Sequence, residues 1–477
     1  MHFSFIYFLS LVALAQAQWK SCARFWPKNA AVDKFTIHTQ CHLFPGYPKD
    51  FGKTKVSVSY TQKWSLAGFK TNLVAPVLHN ALDESITTYS EFATLPNQIV
   101  IILTTAVDGT ATAETVYPVE KHSPCQVKTY NIWTKEAAGA NVPRALQALA
   151  HELYHCVQGL ELGNIQDPQW VLDGSANYFS NVVFPSLNVE WPRAGFKYNP
   201  ALPIYAQVGR DVYGTSIFFQ ALEESKGTSY LNNWVLSTDS ASAGDEKNRL
   251  SQLSGFADEF FLFAKQFSLQ SIRDTSNVLI PGLPAITPVP TSVSFNTAGT
   301  IGTASLRTVP FTISVFKLSL KPGQTAVIYS SAKGNQRLAY RRPSEKEWSE
   351  MPSSPGSTSG GFDLPCNDKD SAETILVLFV STADIKSDTV KVTIKRQRAT
   401  DCKLSGGFVL YPLFDEKTSG ARCPTGTHHS SSAWCCPDGM ELDLAVASEV
   451  SICCPTCRLH IFKVPDVAAN CNSGGLQ

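Results

Sequence analysis

Past its first residues the chain has no apolar run long enough to cross a membrane, and its polar C-terminus carries no lipid-anchor signal. It has no excess charge of either sign. Lys+Arg and Asp+Glu number 40 each, so nothing favours a nucleic acid or an anionic membrane as partner. It contains no Asn-x-Ser/Thr sequon, so N-glycosylation is not expected. Histidine is scarce, with 10 in 477 residues, and a patterned group of histidines is therefore informative. At that length two to three domains are expected.

What is present at the N-terminus is an apolar stretch, Phe3 to Ala15, too short to span a bilayer and followed by the small-x-small signal Ala15-Gln16-Ala17. This reads as a secretory signal peptide over residues 1–17, with Gln18 as the mature N-terminus, although no Lys or Arg precedes it. The 13 cysteines agree with export, because an oxidising compartment lets them pair. Cys22, Cys41, Cys125 and Cys156 are scattered through the first half, Cys366 and Cys402 flank one segment, and the rest crowd the tail. An odd total leaves one thiol free or paired with another chain, and connectivity does not follow from sequence.

Hydrophobic periodicity sets out the first part of the chain. Lys55–Tyr60 alternates like a strand, and Leu73 to Phe92 has helical spacing. Gln98 to Thr105 is a buried strand by its Ile-Val-Ile-Ile-Leu run, and Gln126 to about Trp133 is expected as an edge strand. The next helix has Asn141 as cap, Pro143 in its first turn and Gly159 as its stop. Further helices are expected from Asp167-Pro168 to about Val183, from Thr215 to Lys226, and from Asn248 to about Arg273.

The composition then changes. Residues 279–298 are proline-rich like a linker, and 299–400 alternate in strand fashion with turns between, as in a small β-sandwich. Residues 401–477 form a Cys-rich module too short to bury much core, expected to be held by disulfides. Cys454-Pro-Thr-Cys457 with His428, His429 and His460 admits a second zinc site, but disulfides are the stronger reading in a secreted tail.

The chemistry concentrates in His151-Glu152-Leu153-Tyr154-His155. Two histidines four apart on a helix present both imidazoles from one face, where they can grip one metal ion. Glu152, beside the first, is placed to act as general base on a water. A catalytic zinc takes a third protein ligand and keeps one position open. The metzincin arrangement, with a His or Asp six residues after His155 and a Gly at position 158, is excluded, because those positions hold Glu161 and Gln158. Glu161 itself is a weak candidate for the third ligand. Cys156, pointing away from that face, reads as buried or paired, with Cys125 a candidate partner.

Trp170-Val171-Leu172-Asp173-Gly174-Ser175-Ala176-Asn177-Tyr178 supplies the better candidate. Together with the histidine motif it resembles the gluzincin metallopeptidases, whose second metal-binding helix reads Trp-Leu-x-Glu-Gly-x-Ala-x-Tyr. The resemblance covers residues 70–275 and implies Zn2+ held by His151, His155 and Asp173. It also implies Glu152 as general base and Tyr213, before Gly214, as the group that steadies the oxyanion; Tyr205 and Tyr178 compete for that place. The chain departs from the family in having Asp where Glu stands. The carboxylate then falls roughly 1.5 Å short unless the helices approach more closely. The Gly-Ala-Met-Glu-Asn element of the family's aminopeptidases is absent, which favours endopeptidase action.

The expected fold is therefore an α+β zincin-like metallopeptidase domain over residues 18–278, then the β-sandwich and the Cys-rich module. The expected function is secreted, zinc-dependent hydrolysis of a protein or peptide substrate. Nucleic acid and membrane spans play no part in it, and the accessory C-terminal domains engage substrate or a surface. The rival is a secreted binding protein that keeps the scaffold without turnover. Zinc hydrolysis of a non-peptide bond is a third reading, because a metal triad does not specify the scissile bond.

Overall fold

The computed structural model describes residues 20–25, 38–67, 70–105, 113–116, 124–130, 142–163, 168–191, 197–238, 243–295, 301–320, 327–351, 362–363 and 373–395, with short strands between 411 and 454. The expected signal peptide, the cap Asn141 and the cysteine side chains of the tail lie outside the described residues.

The chain is a mixed α+β protein with several sheets. The first is seven-stranded: β1 (Lys20–Ser21), β2 (Gln40–Leu43), β3 (Lys49–Phe51), β4 (Thr54–Thr61), β5 (Gln98–Thr104), β6 (Ala113–Val116) and β7 (Cys125–Tyr130). They run in the order β1-β2-β4-β5-β7-β6, with β3 on β4. Strands β4, β5 and β7 are parallel and central, which explains why β5 is apolar throughout: both its faces are covered. The strand expected at the edge, β7, is thus interior. The edge is β6, antiparallel to β7 from Ala113↔Thr129 to Val116↔Gln126. Four residues reading Ala-Glu-Thr-Val are too few for periodicity to reveal.

Helices α1 (Gln62–Leu66) and α2 (Thr71–Ser90) follow β4. Then come α3 (Val142–Leu162) and α4 (Gln169–Val183), which pack on each other. Helix α3 does not stop at Gly159. It runs to Leu162, and Gly163, at φ 74°, takes the terminal place, its N–H donating to the Gly159 carbonyl. Next are α5 (Ser216–Lys226) and α6 (Thr228–Leu236), the latter not expected from sequence and entered through Gly227 at φ 80°. The single helix expected from Asn248 is two, α7 (Ala243–Gln252) and α8 (Phe256–Ser268), because Gly255 at φ 84° turns the chain between them.

Helix α3 is buried on almost every side. Tyr89 of α2 donates to the Ala150 carbonyl at 2.8 Å, and Tyr154 stacks on Phe179 of α4 with ring centroids 4.0 Å apart. A disulfide between Cys125 and Cys156 ties α3 to β7, and a second joins Cys22 to Cys41.

Two five-stranded sheets follow, ordered β15-β12-β17-β10-β9 and β14-β13-β16-β11-β8. Their strands are β8 (Val289–Thr291), β9 (Ser294–Phe295), β10 (Ile301–Thr308), β11 (Ser314–Leu320), β12 (Val327–Ser330), β13 (Gln336–Arg341), β14 (Ser349–Glu350), β15 (Phe362–Asp363), β16 (Glu373–Ser381) and β17 (Asp388–Lys395). Strands β8 and β9 fall inside the proline-rich segment. On β16, Ile375, Val377 and Phe379 face one core, while Leu378 and Val380 join the core of the helices. Both faces of that strand are covered, so its sequence does not alternate. Trp348 bonds Ser268 at 2.8 Å and Arg337 pairs with Asp258 at 2.7 Å across the same junction.

Three further acids, Glu190, Glu223 and Asp274, influence one another near α3 and α4. Gln147 donates its side-chain amide to buried Glu190 and accepts from the Val189 N–H at 2.8 Å. Burial, reinforced by the charge of Asp274, pushes Glu190 up to about 7. Glu223, beside Tyr178, is raised to about 7 by burial and again by Asp274. Asp274 itself accepts from Ser276 and from the Val278 N–H.

A carboxyl raised in the folded state favours folding fully below its unfolded value, and that contribution is lost as pH rises to the folded value. Stability should therefore fall between pH 4.5 and 7, with Glu190 contributing on the order of 3 kcal/mol. Thermal unfolding across this window should show a shallower slope in Glu190→Gln, which keeps an acceptor for Gln147 and removes the titration.

Candidate metal centre

Helix α3 brings His151 and His155 onto one face, and their Nε2 atoms lie 3.0 Å apart. Asp173, in the first turns of α4, places Oδ1 3.8 Å from Nε2 of His151 and 3.5 Å from Nε2 of His155. Among the described residues this is the group of three His, Cys, Asp or Glu side chains that converges tightly enough to hold a metal ion. Both histidines and Glu152 are buried, at 6–7% exposure.

Two side-chain amides decide which ring nitrogens face inward. Gln158 donates its NH2 to the Leu172 carbonyl at 3.1 Å and to Ser175 Oγ at 2.9 Å, so its oxygen is the atom 2.6 Å from His155 Nδ1. Asn177 donates to the Tyr213 carbonyl at 3.1 Å, which leaves its oxygen 2.9 Å from His151 Nδ1. An amide oxygen only accepts, so each Nδ1 carries the proton and each Nε2 presents a lone pair. Two imidazole lone pairs and a carboxylate then point at one position, the arrangement a cation satisfies.

The dimensions agree with that. Tetrahedral zinc with nitrogen and oxygen ligands at about 2.0–2.2 Å requires ligand–ligand edges of about 3.3–3.6 Å. The three edges of 3.0, 3.5 and 3.8 Å average close to this. Burial raises the Asp173 carboxyl, but the two imidazoles beside it outweigh burial and hold it below the usual carboxylate range. Burial opposes charge on His155, yet the neighbouring Asp173 and Glu152 carboxylates raise it overall. Asp173 is therefore held as an anion, the state that partners a positive charge.

Asp173 reaches both imidazoles despite its short side chain, and the glycine that follows it packs closely on a neighbouring turn of the chain. A Cβ on Gly174 would stand 2.0 Å from Thr215 Oγ1, and that hydroxyl is itself bonded to the carbonyls of Trp170 and Val212, each at 2.7 Å. Thr215 ends the 3-10 turn Gly209–Thr215, which carries Tyr213. A Cβ on Gly214 would lie 2.5 Å from the backbone of Lys197. Gly174 thus lets this turn lie against α4, and Gly214 lets it lie against the backbone of Lys197 and Tyr198. Trp170, beneath them, donates to buried Glu246 at 2.9 Å, and Glu246 is held by Arg249.

Tyr213 comes to the site, its ring centroid 5.7 Å from that of His151. Its hydroxyl is raised well above the ordinary range by burial and then by the charges of Asp173 and Glu152. Its competitors do not come to the site. Tyr178 is fully buried among Phe179 and Phe219, and Tyr205 packs on Phe311. Glu161 is exposed and lines a separate groove with Ser90 and Asn232.

Three supporting residues escaped the sequence reading. Gln158 and Asn177 had a usable signal, since each follows a proposed ligand by one helical turn. Thr115 had none: its hydroxyl lies 2.7 Å from Glu152 Oε2, across a contact that only the tertiary fold creates.

No protein-family model and no curated protein matches the chain. Among solved structures, two periplasmic inhibitors of g-type lysozyme show similarity, one a mutant from Escherichia coli and one from Salmonella Typhimurium. Each is 14% identical at TM-score 0.18 and covers 23% of this chain and 100% of its own. An aminopeptidase N family protein from Idiomarina loihiensis is 8% identical at TM-score 0.33, covering 76% of this chain and 70% of its own. At these scores none carries an argument about fold or chemistry.

Gly174→Ala should lower stability by roughly 1–3 kcal/mol in denaturant unfolding, because the added methyl meets an anchored hydroxyl rather than a mobile side-chain end.

Proposed function

We propose that this chain is a secreted zinc-dependent metallopeptidase of gluzincin-like design, acting as an endopeptidase. The observation that carries the proposal is the inward-facing set of His151 Nε2, His155 Nε2 and Asp173 Oδ1, with tautomers fixed by Asn177 and Gln158. The zinc ion such a set would hold supplies Lewis-acid polarisation of water and of a substrate carbonyl.

Glu152 stands one residue from the first ligand and is withdrawn from bulk water. It takes the proton of the attacking water and returns it to the leaving amine. Tyr213 keeps its proton at neutral pH, so it is available to donate a hydrogen bond to the oxyanion that develops on the carbonyl oxygen. The hydrophobic packing of Tyr154 on Phe179 and the Gly174–Thr215 contact hold these groups on rigid elements, which is what orientation in the transition state requires.

The two disulfides support an oxidising compartment, in line with the export signal read at residues 1–17. No helix among the described residues is long and apolar enough to cross a membrane. The substrate class is protein or peptide, with the sandwich and Cys-rich tail engaging substrate or a surface.

Zinc content and casein cleavage, measured on the same purified samples, test the proposal. Wild type should carry near-stoichiometric zinc and cleave casein until a chelator is added. Asp173→Ala should lose the metal. Glu152→Gln should keep it while cleavage drops by roughly 10²–10⁴-fold. A metal-free, inactive wild type would overturn the proposal and leave a secreted binding protein on this scaffold.

A further inference from the structure

Strand β6 is the edge of the first sheet, and its residues alternate between two environments. Glu114 pairs at 3.1 Å with Lys128, its register partner on β7. Thr115, one residue on, faces the other way, alongside buried Val127 and toward α3. There its hydroxyl lies 2.7 Å from Glu152 Oε2 and 2.9 Å from the main-chain carbonyl of the same residue.

That double approach is specific. A threonine hydroxyl has one proton, and an ionised carboxylate is the stronger acceptor. Reaching both the carboxylate and the backbone of Glu152, Thr115 fixes the side chain relative to its own helix. The β-branch of Thr restricts χ1, so the clamp costs little further rotamer freedom. With Oε2 engaged, the carboxylate is held in one orientation. Glu152 is only 7% exposed, so bulk water is a poor substitute for the missing donor.

We propose that Thr115 is a positioning residue for Glu152, making edge strand β6 a working part of the catalytic apparatus. The inference rests on the metallopeptidase reading and adds to it a residue outside both metal-binding helices. Thr115 touches neither ligand nor substrate in this role; it acts through the Glu152 carboxylate. Its effect therefore falls on turnover rather than on metal or substrate affinity.

The test compares wild type, Thr115→Val and Thr115→Ser, reading kcat and KM on a fluorogenic peptide cut from casein, with zinc content and melting temperature on the same samples. Val matches Thr in shape without a hydroxyl, and Ser restores it. Thr115→Val should lower kcat roughly ten- to a hundredfold with KM, zinc content and melting temperature close to wild type, and Thr115→Ser should recover most of the loss. Unchanged kcat in Thr115→Val beside an active wild type would overturn the positioning role alone. A loss accompanied by lost zinc or a lowered melting temperature would overturn it in favour of a structural role, as would a Thr115→Ser variant no better than Val. A wild type without zinc or cleavage would overturn the metallopeptidase reading first, and the positioning role with it.

Discussion

The absence of a side chain at position 174 is the constraint on which the site depends. Thr215 occupies the space a Cβ would take, bonding to the carbonyl of Trp170 on the far side. That contact fixes the 3-10 turn against α4 and with it the Tyr213 carbonyl that receives Asn177. Asn177 in turn sets the His151 ring. One missing methyl group is thus linked through four residues to the direction of a ligand lone pair. Asp173 reaches in spite of its shortness, its carboxylate standing within 4 Å of both imidazoles.

Burial raises both buried acids of this region, and what stands beside each decides the outcome. Asp173 and Glu190 are both buried carboxyls, yet they shift in opposite directions. Asp173 sits between two imidazoles and is held in its charged form; Glu190 has an amide for a partner and a carboxylate for a neighbour, and is driven toward its neutral form. Two acids of opposite character therefore meet residues four apart on α3, Asp173 beside His151 and Glu190 beside Gln147, one suited to a cation and one to a proton.

The legible part of this molecule was the local part. The His-Glu-x-x-His spacing, the acidic residue before Gly174 and the apolar stripes of α2, α3 and α4 all express helical periodicity within a single element. The Cys125–Cys156 bond, one candidate pairing among many, is formed. What could not be read depends on partners far apart in the chain. Thr115 and Glu152 are 37 residues apart, and β6 is too short to announce itself. Gly255 divides α7 from α8 through a backbone angle that apolar spacing does not encode. The edge position expected for β7 failed for the same reason, since pairing order is a property of the sheet and not of the strand.

The two five-stranded sheets share an apolar interior with the helices: Phe311, Leu378, Val380 and Trp348 belong to the same cluster as Phe256 and Phe263. A domain joined only by a tether samples many orientations, whereas one sharing a core has a single bearing. Those sheets are therefore a fixed abutment beside the helical part. Their distance from the histidine pair is set by the fold, as by a gauge, rather than by the length of a linker.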